Sequence, residues 1–208
     1  MSSIEPKLLA GDPGDTRGGA RRIADGSRMA EISRRARAVR LMVLDVDGVL
    51  TDGSLYYGPN GDELKVFNVR DGHGLKMLKR SGVELAIITS RSSRALELRA
   101  ADLGIELLFQ GVADKGAAYA ALLAQLGLEP AATACMGDDV VDLPLLTRCA
   151  LALTVPDAPE PVRQRAHYVT RAMGGHGAVR EACELIMGAQ NSLERQIAVH
   201  LAPPGSAA

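Results

Sequence analysis

Aromatic residues are scarce in this 208-residue chain, which has four Tyr, two Phe and no Trp. Three of the six, Tyr56, Tyr57 and Phe67, fall in one short stretch, which marks it either as an intersubunit contact or as packing on its own domain. Charge of one sign is missing as well. With 24 basic against 25 acidic residues there is no positive field to hold nucleic acid or an anionic membrane. No apolar run reaches the length of a transmembrane span, and the polar, Gly-rich start does not resemble a secretory signal, so the expected compartment is the cytoplasm. The cysteines are few, odd in number and far apart, at 135, 149 and 183. That pattern fits neither a disulfide framework nor a zinc site; buried thiols in helix and strand patterns are expected.

What remains is an ordinary globular composition, 47% apolar and 24% charged, enough for one domain with a sizeable core. Residues 1–28 mix Gly, Asp, Arg and Ser without periodicity and read as a disordered leader, with Met29 a possible alternative start. A domain over 29–195 and a frayed tail over 196–208 complete the division. The domain opens with a short amphipathic helix over 29–39, on which Ile32, Ala36 and Val39 share a face and the Arg residues form a solvated one.

The run Leu41-Met42-Val43-Leu44 then reads as a buried parallel strand, and it ends in Asp45-Val46-Asp47-Gly48. In an open α/β sheet the ligand crevice lies at the carboxyl ends of the strands, which puts Asp45 and Asp47 where chemistry is done rather than in a merely solvated turn. Further strands are expected at 83–88, 106–109, 133–136 and 150–155, separated by helical patterns at 71–80, 92–103 and 115–125, with a final helix over 178–193. Asp71 is a candidate N-cap for the first of these helices. Asn60-Gly61 lies between two β-prone runs and predicts a hairpin. Alternation of strands and helices implies an α/β fold with a doubly wound parallel sheet.

Polar groups follow three other strands. Thr89-Ser90-Arg91 offers hydroxyls and backbone N–H groups at a helix start, where phosphate binds readily, although capping alone would also use Ser and Thr there. Lys115 sits in the first turn of a helix, where the macrodipole disfavours a cation unless an anion faces it. Gly137-Asp138-Asp139 and Asp142 put three carboxylates in five residues, a cluster that needs a cation or capping roles; Asp139 can cap, leaving Asp138 for a metal. All four groups fall on one sheet edge and together suffice for phosphoryl transfer through an aspartyl-phosphate. The same acceptor Asp, Thr, Lys and Mg²⁺ occur in receiver-like signalling domains, but there the acidic pair lies on a different strand from the acceptor.

In this order the four groups resemble the motifs of the haloacid dehalogenase-like phosphatase superfamily. Residues 45–190 are similar, within it, to the small phosphatases of 3-deoxy-D-manno-octulosonate 8-phosphate (KDO 8-phosphate), a lipopolysaccharide precursor. The similarity rests on Leu44-Asp45-Val46-Asp47-Gly48-Val49-Leu50-Thr51-Asp52-Gly53, Phe67-Asn68-Val69-Arg70-Asp71-Gly72, Phe109-Gln110-Gly111 and Gly177-Ala178-Val179-Arg180-Glu181. It implies a domain with a hairpin flap and no large cap, assembled as a homotetramer in which neighbouring subunits help enclose the site. It further implies Asp45 as nucleophile, Asp47 as acid and base, and Mg²⁺ held by Asp45, Asp138 and the Asp47 carbonyl. Thr89, Ser90 and Lys115 would bind the phosphoryl group, Asp139 and Asp142 support the site, and Arg70, Arg91 and His176 meet the sugar acid. Two departures stand out: Ser90 where the family has Gly, and His176 where it has Arg. Relatives acting on nine-carbon, sialic-acid-type 9-phosphates carry Glu at the position of Arg91, so Arg91 favours the eight-carbon substrate.

Overall fold

The computed structural model describes residues 16–60 and 63–201, with side chains from residue 26. Among the described residues, those up to Glu31 form one compact unit and those from Ile32 another. The second unit contains the sheet. Its strands are β1 (Leu41–Leu44), β4 (Glu84–Ile88), β5 (Leu107–Phe109), β6 (Thr133–Met136), β7 (Leu151–Thr154) and β8 (Tyr168–Val169). They lie in the order β5-β4-β1-β6-β7-β8, and every neighbouring pair is parallel. β2 (Tyr56–Tyr57) and β3 (Glu63–Leu64) form a separate antiparallel pair, the expected hairpin, with strands of only two residues.

β1 is central because it is apolar at every position. Leu41, Met42, Val43 and Leu44 are all fully buried, which a strand covered on both faces requires. Successive strands run outward from it in opposite directions, so the order reverses beside β1 and a crevice opens at its carboxyl end. Around the sheet lie α2 (Val69–Arg80), α3 (Arg94–Leu103), α4 (Lys115–Leu126), the one-turn helices α5 (Leu143–Leu146) and α6 (Glu160–Arg163), and the C-terminal pair α7 (Ala178–Ala189) and α8 (Leu193–Leu201). Cys135, Cys149 and Cys183 are free and buried, as the sequence suggested.

Several boundaries differ from expectation. The first helix, α1, spans Thr16–Arg37 instead of opening at Met29, and residues 1–15 of the expected leader lie outside the described residues. Low apolar content argues against burial, but it does not bar an Ala- and Arg-rich segment from a helix. The last helix breaks in two, because Asn191 adopts φ 55° and Ser192 turns inward; α8 thus occupies part of the expected tail, whose residues 202–208 lie outside the described ones. β8 was not foreseen as a strand: two residues carry too little pattern.

Asp71 does not cap α2. Asn68 does, accepting from the Arg70 N–H at 2.8 Å. Asp71, 1% exposed, reaches across to α7, where it accepts from Gly177 N–H at 3.1 Å and Arg180 N–H at 2.7 Å. It therefore caps a helix that begins more than a hundred residues later. Burial raises its pKa, against the pull of those two N–H groups.

Candidate active site

Asp45 follows the last residue of β1 and is tied to the sheet by its N–H, which donates to Met136 O at 3.0 Å. Its side chain is 10% exposed and lies 2.9 Å, Oδ1 to Nζ, from Lys115, at an angle that leaves Oδ1 without an aligned hydrogen bond. Burial first, and the Asp142 charge second, push its pKa up to about 6 against the pull of Lys115. Lys115 is the first residue of α4 and only 4% exposed. Burial alone would lower its pKa, but the carboxylates of Asp45 and Asp142 outweigh that and raise it. Those two anions also offset the unfavourable macrodipole, which the sequence had suggested a partner must do.

The three carboxylates beyond β6 divide their work. Asp139 accepts from Val140 N–H at 2.7 Å and caps the 3₁₀ turn Val140–Asp142. Asp142 accepts from Asp138 N–H at 3.1 Å and Asp139 N–H at 3.2 Å through Oδ2, and takes Lys115 on Oδ1 at 2.7 Å. Its oxygens are engaged. Asp138 is left facing the crevice, and its pKa is pushed up to about 7 by burial and by the charges of Asp45, Asp142 and Asp139. Carboxylate oxygens of Asp45, Asp138 and Asp142 lie within 4.8 Å of one another. Since Asp142 is already committed, Asp45 and Asp138 are the pair suited to a divalent metal. The unaligned Oδ1 of Asp45, and oxygen-only donors crowded around one ammonium, fit a hard cation. Gly48, at φ 83°, lets the 45–53 turn approach so closely that a Cβ there would overlap the Asp138 carboxylate.

Thr89 follows the last residue of β4 at 2% exposure, with its N–H donating to Phe109 O at 3.0 Å. Asp45, Asp47, Thr89, Ser90, Arg91, Lys115, Asp138 and Asp139 line one cleft of about 250 Å³, joined by Gly53 and Val141. Asp142 stands behind it, holding Lys115. Arg70 and His176 are exposed and outside this lining, so a single chain does not bring them to the cleft.

The glycines of the 174–177 segment let its backbone pack closely against another surface. The segment lies on this chain's own 48–52 turn. Gly175 N–H donates to Val49 O at 3.0 Å, Asn68 Nδ2 donates to Gly175 O at 3.1 Å, and a Cβ on Gly174 would strike Gly48 O.

Two residues that sequence reasoning missed meet at this site. In β3 and the residues after it the apolar side chains face outward: Leu64 is 59% exposed and Val66 65%. The charged ones face inward, with side-chain exposures of 13% for Glu63 and 2% for Lys65. Lys65 pairs with Asp47 Oδ1 and lies 3.3 Å from Glu63 Oε1; the same Glu63 oxygen accepts from Arg91 Nη2 at 3.0 Å. Arg91 Nε stands 3.7 Å from Asp47 Oδ2, and Arg91 Nη2 also donates to Tyr57 Oη at 3.1 Å. Alternation along Glu63-Leu64-Lys65-Val66 was the available signal, but it did not say which face was inside.

The chain is similar to several known proteins. The haloacid dehalogenase-like hydrolase family matches residues 60–149. A 3-deoxy-D-manno-octulosonate 8-phosphate phosphatase of Yersinia pestis is 49% identical over 164 residues, 79% of this chain and 88% of the relative. The chain belongs to the haloacid dehalogenase-like hydrolases, in the KDO 8-phosphate phosphatase family. Among solved members, the Moraxella catarrhalis enzyme, in complex with magnesium, phosphate and KDO, superposes with a TM-score of 0.81 at 44% identity, covering 83% of this chain and 99% of that one. The cobalt-bound Haemophilus influenzae phosphatase gives 0.75 at 39%, covering 79% and 99%. This family has an α/β Rossmannoid core, and the six parallel strands here are that core.

Proposed function

We propose that this protein is a Mg²⁺-dependent phosphatase that hydrolyses KDO 8-phosphate to KDO and phosphate in the cytoplasm, in lipopolysaccharide precursor synthesis. The observation that carries the reading is the pair Asp45 and Asp47 at the tip of the central strand, one against Lys115 and the other against Lys65 and Arg91. Identity of nearly half over most of the chain to phosphatases of this substrate supports it.

Asp45 attacks phosphorus and forms an aspartyl-phosphate. Thr89, the Ser90 N–H and Lys115 hold the transferring oxygens, Lys115 being fixed for this by Asp142. Asp47 gives a proton to the departing sugar oxygen, then takes one from the water that cleaves the acyl phosphate. Asp45, Asp138 and the Asp47 carbonyl would hold Mg²⁺, which when bound neutralises the repulsion between carboxylate and phosphate dianion. Arg91, on the cleft wall, is suited to the sugar carboxylate and favours the eight-carbon acid over a nine-carbon one.

The assembly proposed is a homotetramer. Tyr56, Leu64 and Val66 leave an apolar outer face on the hairpin, each 48% exposed or more, as a surface covered by another subunit would be. In such an assembly Arg70 and His176 would meet the sugar acid. The test is phosphate release from KDO 8-phosphate with and without Mg²⁺, beside an Asp45→Asn variant. Turnover should need the metal and fall on the order of 10³-fold or more in the variant. Near-normal turnover by folded Asp45→Asn protein would overturn the mechanism, and preference for a nine-carbon 9-phosphate the substrate.

A further inference from the structure

We infer that Lys65 is a positioning residue for proton transfer, holding the Asp47 carboxyl in its productive orientation from the inner face of the hairpin. The inference rests on the assignment of Asp47 as proton donor. An ammonium at 2% exposure is far from its preferred environment, and it is retained here between two carboxylates, Asp47 and Glu63. Together with Arg91 these groups interlock, Lys65 and Arg91 each lying beside both Asp47 and Glu63. Lys65 takes Asp47 Oδ1, and the remaining oxygen, Oδ2, lies on the Arg91 side of the cleft.

The consequence is geometric. An aspartate has two side-chain torsions, and a proton donor must lie within hydrogen-bond reach of the ester oxygen in the transition state. Asp47 is held neither by its own strand nor by a helix cap; among the described residues its side-chain partners are Lys65, from the hairpin, and Arg91. Loss of Lys65 frees the carboxyl to turn toward Arg91 or solvent, and a donor that is displaced works only on leaving groups that need no donor. An alkoxide leaving from a sugar phosphate needs the proton, whereas p-nitrophenolate leaves without it.

The experiment measures kcat/KM, which reports the steps through aspartyl-phosphate formation, for Lys65→Met, Asp47→Asn and the double variant. Each is assayed in Mg²⁺ with KDO 8-phosphate and with p-nitrophenyl phosphate, after circular dichroism and melting confirm folding. Lys65→Met is expected to lose about 10- to 100-fold on KDO 8-phosphate and less than about threefold on p-nitrophenyl phosphate. Added to Asp47→Asn, it should lower kcat/KM on the sugar phosphate less than about twofold further, because it acts through the group already removed. Equal losses on the two substrates, a multiplicative loss in the Asp47→Asn background, or unchanged kinetics would each overturn the role of Lys65. Near-normal Asp47→Asn kinetics on the sugar phosphate would instead overturn the assignment of Asp47. If Lys65→Met does not fold, Glu63→Gln tests the same network, since Glu63 Oε1 bridges Lys65 and Arg91; it should show a smaller loss with the same preference for the aryl ester, and lack of that preference refutes the proposal.

Discussion

Replacing Asp138 by Asn should make the metal-free protein more stable at the same time as it removes one carboxylate of the proposed metal site. In the fold Asp138 has its pKa pushed from 3.8 up to about 7, so at pH 8 it is ionised against an environment that disfavours the charge. The interval between those values, at about 1.4 kcal/mol per pH unit, amounts to about 4 kcal/mol of instability above pH 7. Between 3.8 and about 7 the native state binds more protons than the unfolded chain, so stability falls as pH rises and the penalty is gone below 3.8. From pH 8 to pH 5 the advantage of Asp138→Asn over wild type should therefore shrink by about 3 kcal/mol. His73, whose pKa is lowered by burial and by the Arg180 and His200 charges, drives stability the other way with pH. It is common to both proteins and cancels in the difference. The assay is urea unfolding of both proteins in chelator at pH 5, 6, 7 and 8. Mg²⁺ at a hundred times its dissociation constant should then stabilise wild type by about 3 kcal/mol and leave the variant unmoved. A variant no more stable than wild type at pH 8 in chelator, or a gap that does not narrow toward pH 5, would refute the account of Asp138 as a carboxylate held for a cation.

Two further outcomes follow from the packing around the cleft. Gly174→Ala puts a Cβ on Gly48 O and 3.1 Å from Thr51 O, and should cost about 1–3 kcal/mol, lowering Tm by several degrees with a loss of kcat because the displaced turn carries Asp47; an unchanged Tm would mean the contact is loose. Arg91→Glu sets a carboxylate against Glu63 and Asp47 and should lower kcat/KM for KDO 8-phosphate by about 2 kcal/mol; equal loss on a carboxylate-free phosphate would show a general defect and not substrate recognition.

The apolar run of β1, the Asp45/Asp47 pair that closes it and the polar groups at 89, 115 and 138 were legible in the sequence because each depends on local pattern. A strand buried on both faces must be apolar throughout, and its carboxyl end must face the crevice wherever the strand order reverses. The structure brings Asp45, Asp47, Thr89, Lys115 and Asp138 to that crevice. Asp142 was legible as one of a crowded carboxylate set, but its post between Lys115 and the Asp138 and Asp139 N–H groups took a folded loop to define.

Tertiary structure alone decided which face of Glu63-Leu64-Lys65-Val66 turns inward, and so that Lys65, eighteen residues from Asp47, is its ion partner. It decided that Asp71 caps a helix 106 residues away, where local reading put it at its own. It also decided that the glycines at 174 and 175 serve close approach to the 48–52 turn of the same chain. The reason is common to all three. Periodicity and capping rules describe a residue's neighbours along the chain, whereas ion pairs, caps supplied by remote residues and backbone contacts depend on which distant segment the folded sheet places opposite it.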